Sequence, residues 1–151
     1  MTPDQSKLGD RFKLGIIGSR SRVSARDRIM VFDIVFEHIK KFGIENIQIV
    51  SGGCPTGADH FAEEAAKHFG VSLTIHYPQA FPKSTSYNTI RDRYYARNRT
   101  IVEESDILFG LVSADRKGGT EYTFKHAVKH NVKSYAVIKD GSRISLLGDD
   151  E

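Results

Sequence analysis

The sequence predicts an α/β fold in which a mostly parallel sheet of five strands lies between two layers of helices. Short apolar runs alternate with segments of helical periodicity from Lys13 to Ile138. The runs are continuously apolar, as in strands that are buried on both faces. Right-handed crossovers and a doubly wound arrangement then give the strand order 3-2-1-4-5.

The first half of the chain holds three predicted strands and two helices. Apolar residues recur at helical spacing in both helices, and Gly43 and Gly70 end them. The predicted elements are strand Lys13–Ile17, helix Ala25–Phe42, strand Asn46–Val50, a helix from Ala58 to Phe69 and strand Val71–Ile75.

The second half adds a long loop, two helices and two strands. The loop, Tyr77–Asn88, contains two prolines, and a loop of this length inside a domain is usually functional. The elements after it are a helix from Ile90 to Glu104, strand Ile107–Val112, a helix around Phe124 and strand Ser134–Ile138. We therefore expect one domain over residues 13–139, with polar tails at 1–12 and 140–151.

Composition favours a cytoplasmic protein. No apolar run approaches the roughly 20 residues that cross a bilayer, and the first residues lack the apolar stretch of a signal peptide. The single cysteine, Cys54, excludes an internal disulfide and is read as inert. The net charge of +3 suits an anionic ligand, but most of the arginines that follow the first strand or crowd residues 91–99 are expected on solvated helix faces.

Two glycine segments, Ser51–Asp59 and Lys117–Glu121, each lie where a strand ends and a helix begins. A helix start offers unpaired N–H groups and a positive dipole end, and glycine lets an anion approach the backbone. The doubly wound order brings both segments to the same sheet edge as Gly18-Ser19-Arg20. We therefore expect one pocket that takes a phosphorylated small molecule.

Two further pairs of residues bear on chemistry at this edge. Arg97 and Asn98 offer a guanidinium fork and an amide to phosphate or ribose. Asp59 and Glu121 are the candidate catalytic carboxylates, although Thr56 to Asp59 also fits a capping box and Thr120 with Glu121 a cap with a first-turn acid.

Several familiar sites are not predicted. The dinucleotide and P-loop glycine motifs are missing, and no cofactor is expected. His126 and His130 share a helix face, but without a nearby acid in the sequence they are read as surface residues, and no metal site is predicted.

The ordered set of motifs from Lys13 to Ile138 resembles the SLOG superfamily, and within it the small single-domain YspA-like branch. The resemblance implies a Rossmann-like fold and a nucleotide pocket, with Gly52, Gly53, Gly118, Gly119 and Thr120 in its phosphate loops. Members that hydrolyse cytokinin nucleotides carry a catalytic glutamate three residues after the threonine. Thr123 stands there in this chain, and the acid is Glu121.

Three functions remain open at this stage. The leading hypothesis is a sensor or binding protein for a nucleoside phosphate or an ADP-ribose-like ligand. The alternatives are an N-glycosidic-bond hydrolase of the phosphoribohydrolase type and, more weakly, a single-stranded nucleic-acid binder; homo-oligomerisation is left open. The predicted ligand-binding residues are Gly18, Ser19, Arg20, Ser51, Gly52, Gly53, Gly57, Arg97, Asn98, Gly118, Gly119 and Thr120.

Overall fold

The computed structural model describes residues 10–147, so most of the predicted N-terminal tail and the last four residues lie outside the described part. A single 3-10 turn, Ile44–Asn46, follows the first helix. The other elements are β1 (Phe12–Gly18), α1 (Ala25–Phe42), β2 (Ile47–Ser51), α2 (Ala58–Phe69), β3 (Ser72–Ile75), α3 (Tyr87–Glu104), β4 (Ile107–Leu111), α4 (Gly119–Lys129), β5 (Lys133–Val137) and β6 (Arg143–Ser145).

The strands form one sheet in the order β3-β2-β1-β4-β5-β6. The first five are parallel, which confirms the predicted order 3-2-1-4-5. β6 was not among the predicted strands; it pairs antiparallel with β5 at the sheet edge. Its Arg143 forms a two-pronged ion pair with Glu37 of α1, with N–O distances of 2.6 and 2.8 Å.

Two apolar layers enclose the sheet and confirm the three-layer architecture. α1 and α2 cover one face, where Val31 and Ala62 are fully buried among the strand residues. α3 and α4 cover the other face with Ile101, Phe124 and Ala127. In residues 10–147, none of the helices is both long enough and apolar enough to cross a membrane.

Arg22 departs from the expectation that the arginines lie on solvated faces, because it is fully buried. Its guanidinium contacts Asp27 at 2.9 Å and donates to the carbonyls of Val112 and Val137, 2.9 and 2.8 Å away. Burial alone would raise the pKa of Asp27, but hydrogen bonds from Arg22 and Ser24 hold it below its usual range. Asp27 also completes a capping box with Ser24, so the pair ties the start of α1 to the ends of β4 and β5.

Candidate functional site

A cavity of about 440 Å³ opens beyond the carboxyl ends of β1 and β4. The register pairs Gly18 with Leu111, so the chain leaves both strands at the same level. After β1 the chain crosses to β2 on one side, and after β4 it crosses to β5 on the other side. α/β sheets commonly bind ligands in the crevice at such a point. Four parts of the chain line the cavity: the loop after β1, Cys54 and Asp59 from the stretch after β2, one face of α3 and the start of α4.

The face of α3 that lines the cavity is aromatic and polar. Arg91, Tyr94, Tyr95, Asn98 and Ile101 follow one another at helical spacing and all border the space. Tyr95 stacks on Tyr122 of α4 with 3.8 Å between ring centroids and 8° between planes. This stack holds one wall of the cavity in a fixed position.

A hydrogen bond holds Tyr122, the residue on which Tyr95 stacks. The phenol oxygen of Tyr122 accepts from Nη1 of Arg99 at 2.7 Å. Tyr122 is therefore held at both its ring and its hydroxyl, and its ring in turn supports the ring of Tyr95.

Positive charge dominates the lining. Arg20 and Arg97 each place a guanidinium carbon 5.4 Å from the ring centre of Tyr94, within cation–π distance. The basic lining residues are Arg20, Arg91, Arg97 and Lys117, and Asp59 is the one carboxylate among them. An anion entering this cavity therefore meets a favourable potential.

The start of α4 presents backbone to the cavity. Gly118 is the N-cap residue, and no side chain caps the free N–H groups of the first turn. The loop before it is ordered by Asp115, whose Oδ1 accepts from Ser113 Oγ at 2.7 Å and from the N–H of Lys117 at 3.1 Å. Backbone donors are thus held in position at the positive end of the helix dipole.

Glu121 is engaged by Arg116. Its two carboxylate oxygens accept from Nε and Nη2 of Arg116 at 2.6 and 3.0 Å. It does not border the cavity. Its observed contacts tie α4 to the loop that precedes it.

Asp59 lies at the inner end of the cavity and is 8% exposed. Its Oδ2 accepts from the N–H of Cys54 at 3.0 Å, and its Oδ1 lies 3.1 Å from the hydroxyl of Ser51. Because α2 has no side-chain cap, the capping box predicted for Thr56 and Asp59 is wrong. The carboxylate orders the Gly52–Cys54 loop instead.

The surroundings of Asp59 act on its pKa in opposite directions. The hydroxyl of Ser51 lies 2.7 Å from the carbonyl of Ile16 and 3.1 Å from Oδ1 of Asp59, to which it donates. Burial raises the pKa of Asp59, against the hydrogen bond from Cys54 and the charge of Arg97, which lower it. Desolvation outweighs these contacts, so the pKa of Asp59 is raised.

Arg97 joins this loop to α3. Its Nη1 donates to the carbonyl of Gly52 and, at 3.3 Å, to that of His76, and its Nε donates to Asn98 at 2.7 Å. A Cβ at Gly52 would lie 2.7 Å from Nη1 of Arg97 and 2.8 Å from Oδ2 of Asp59. Gly52 is therefore required by the close packing of these two side chains.

A second cavity of about 640 Å³ lies on the other side of Arg97. The loop after β3 forms its far wall, with Tyr77 and Phe81. It shares Arg20, Tyr94 and Arg97 with the first cavity. The two basic side chains thus stand between two adjoining spaces.

Most of the predicted ligand-binding residues come together at these two cavities. Ser51 and Gly57 border neither: Ser51 is buried under Asp59, and Gly57 packs against the carbonyl of Ser19. Those that border a cavity are Gly18, Ser19, Arg20, Gly52, Gly53, Arg97, Asn98, Gly118, Gly119 and Thr120.

Residues outside the predicted site also border the first cavity. Tyr94, Tyr95, Arg91 and Lys117 line it and were not among the predicted ligand-binding residues. The signal that identifies the α3 members is their spacing, since Arg91, Tyr94, Tyr95 and Asn98 form a polar and aromatic stripe beside the apolar one.

Comparison with known proteins identifies the fold. No family model and no curated protein matches the chain. Two structures of the molybdenum cofactor carrier protein from Chlamydomonas reinhardtii match with TM-scores of 0.59 and 0.55, at 18% identity over 85% of this chain and 76% and 75% of theirs. The C-terminal domain of a hydrogenase from Pyrococcus furiosus matches with a TM-score of 0.45 at 15% identity over 83% of this chain and 90% of that domain. The similarity to the carrier protein agrees with a Rossmann-like α/β fold.

Proposed function

We propose that this chain binds a nucleotide or a nucleotide-derived ligand, such as a nucleoside phosphate or an ADP-ribose-like molecule, as a sensor or binding protein of the SLOG type. The observation that carries the proposal is the convergence of Arg20, Arg97 and the uncapped start of α4 on one cavity. These groups suit a phosphate because backbone donors and guanidinium groups both bind anions.

The shape of the cavity supports a ligand with an aromatic part. Its volume of about 440 Å³ falls in the range of small-molecule sites, roughly 300–1,000 Å³. Tyr94 and Tyr95 line the cavity beside the basic groups, so a base can contact aromatic side chains while its phosphate lies at Gly118 and Gly119. The second cavity gives a larger ligand room beyond Arg97.

The fold neighbours add a second ligand class. Two of them are named as carriers of the molybdenum cofactor, a binding function rather than a reaction. Binding without turnover is the behaviour we propose here, so the screen includes this cofactor beside the nucleotides.

The test is calorimetry of purified protein with AMP, ADP-ribose, other nucleoside phosphates and the molybdenum cofactor. We expect saturable binding that Gly119→Asp abolishes, because it adds a carboxylate where the phosphate lies. Asn131→Asp is the matched control: it adds the same charge at an exposed position near the far end of α4 and leaves affinity unchanged. Failure of the whole panel to bind would refute the proposal.

Hydrolysis of an N-glycosidic bond is the second candidate, favoured by the position of Asp59 on the cavity wall. Such a reaction needs a carboxyl group near the sugar and a donor for the departing base. Release of free base from a nucleoside monophosphate, lost in Asp59→Asn and retained in Glu121→Gln, would assign the chemistry to Asp59. A protein that binds nucleotides and releases no base is a binding protein only.

A further inference from the structure

Three metal-ligating side chains meet where α3 and α4 end, outside the cavities described above. His126 and His130 lie one turn apart on α4, and α3 contributes Glu103. One ligand atom from each of the three lies within 4.8 Å of the other two. Across residues 10–147, no other histidine, cysteine and carboxylate side chains form such a group of three.

One pair in the cluster already has the spacing of two ligands on one metal ion. Nε2 of His126 lies 3.1 Å from Oε2 of Glu103. Two ligands held at about 2.1 Å from one zinc ion lie roughly 3.0–3.4 Å apart. A metal ion can therefore take the place of the hydrogen between these two atoms, and neither side chain needs to move far.

His130 is already oriented as a ligand. Its Nδ1 lies 3.0 Å from the backbone carbonyl of His126, and because a carbonyl only accepts, Nδ1 carries the hydrogen. The lone pair is then on Nε2, which is the arrangement that metal-binding histidines commonly adopt. The ring centroids of the two histidines lie 4.0 Å apart, so the two imidazoles are direct neighbours.

We propose that Glu103, His126 and His130 form a binding site for one divalent transition-metal ion of the zinc type. Two imidazoles and a carboxylate are an established donor set for such ions, with water completing the coordination. Hard ions such as Mg²⁺ prefer oxygen ligands and are excluded by the two nitrogen donors. The bound ion links the last turn of α3 to the second half of α4.

The test is calorimetric titration of chelator-treated full-length protein with ZnCl₂ at pH 7.5, with Co²⁺ absorption as an independent readout. We expect one equivalent of Zn²⁺ and a visible Co²⁺ spectrum. His130→Ala and Glu103→Gln, both at exposed positions, should each weaken Zn²⁺ binding by about tenfold or more. Their melting temperatures in EDTA should equal that of the wild type.

A second surface pair supplies the matched control. On α2, Nε2 of His60 lies 3.7 Å from Oε2 of Glu64, and within the described part of the chain no third ligand joins this pair. His60→Ala should leave the zinc affinity unchanged. The proposal is overturned by the lack of a one-equivalent zinc isotherm, by unchanged affinity in His130→Ala and Glu103→Gln, or by an equal loss in His60→Ala.

Discussion

Gly119→Ala separates ligand binding from stability at the proposed phosphate position. Gly119 is the first residue of α4 and borders the cavity. A Cβ built there meets only Nδ2 of Asn98, at 3.8 Å, which is an ordinary van der Waals contact. The backbone is not in the left-handed region, so alanine fits without strain.

The effect on folding is therefore small and of known sign. Alanine is favoured over glycine in a helix by up to about 1 kcal/mol. For a chain of 151 residues, that raises the melting temperature by at most about 4 °C. A melting temperature below that of the wild type would contradict the geometry at this position.

The effect on binding is larger because the added methyl occupies the space that a phosphate oxygen needs to reach the backbone. Loss of one charge-assisted hydrogen bond costs about 1.5–3 kcal/mol. This corresponds to an affinity roughly 10- to 150-fold weaker, which calorimetry with the best ligand of the screen measures directly.

Gly118→Ala is the informative contrast. Gly118 has a φ of +104°, a conformation in which any Cβ is strained, so this change lowers stability as well. Only Gly119→Ala should weaken binding in a protein that is as stable as the wild type. If that variant is stable and binds every ligand as the wild type does, the reasoning about backbone approach is refuted.

Four further predictions follow from the same contacts. Arg22→Met should lower the free energy of unfolding by about 3–5 kcal/mol in urea, because it leaves a buried carboxylate without its partner; a loss under about 1 kcal/mol would argue against a buried pair. Burial raises the pKa of Asp59, so the wild type loses stability as pH rises above the ordinary value of 3.8. Asp59→Asn removes this pH dependence, so the melting temperature of the variant relative to that of the wild type should increase from pH 4 upwards. A difference in melting temperature that stays constant with pH would count against this prediction. Tyr95→Ala should weaken nucleotide binding by about 1–3 kcal/mol in calorimetry if the base stacks there. Arg116→Ala should weaken anion binding about two- to fivefold by releasing the charge of Glu121, and adding Glu121→Gln should restore it.

The fold was predictable because each long element carries its own periodic signal. The order of the strands followed from right-handed crossovers together with the assumption of a doubly wound arrangement. β6 carries no such signal, since its three residues are exposed and it forms only by pairing with β5. Burial of Arg22 was also hidden, because its carbonyl partners Val112 and Val137 lie 90 and 115 residues away in sequence.

Those parts of the candidate site whose position is set by the topology of the sheet were predictable from the sequence. The partners of a single side chain were not predictable where two sets of hydrogen-bonding partners were possible. The loops after β1 and before α4 had to meet at the switch point, and they do. Asp59 had the spacing of a capping residue, yet it bonds to Cys54 and Ser51 instead. Only the folded chain resolves such a choice, because the competing partners are brought together by tertiary structure.

The two carboxylates beside the glycine loops have their negative charge offset in two different ways. Glu121 is matched by Arg116, so its charge is compensated outside the cavity. Asp59 is buried, and burial raises its pKa and so favours its neutral form. The two carboxylates therefore respond to different perturbations. Removal of Arg116 leaves the charge of Glu121 uncompensated, whereas a rise in pH ionises Asp59. An acid next to a phosphate loop is therefore not by itself evidence of catalysis, since in this chain the acid next to α4 has a structural partner.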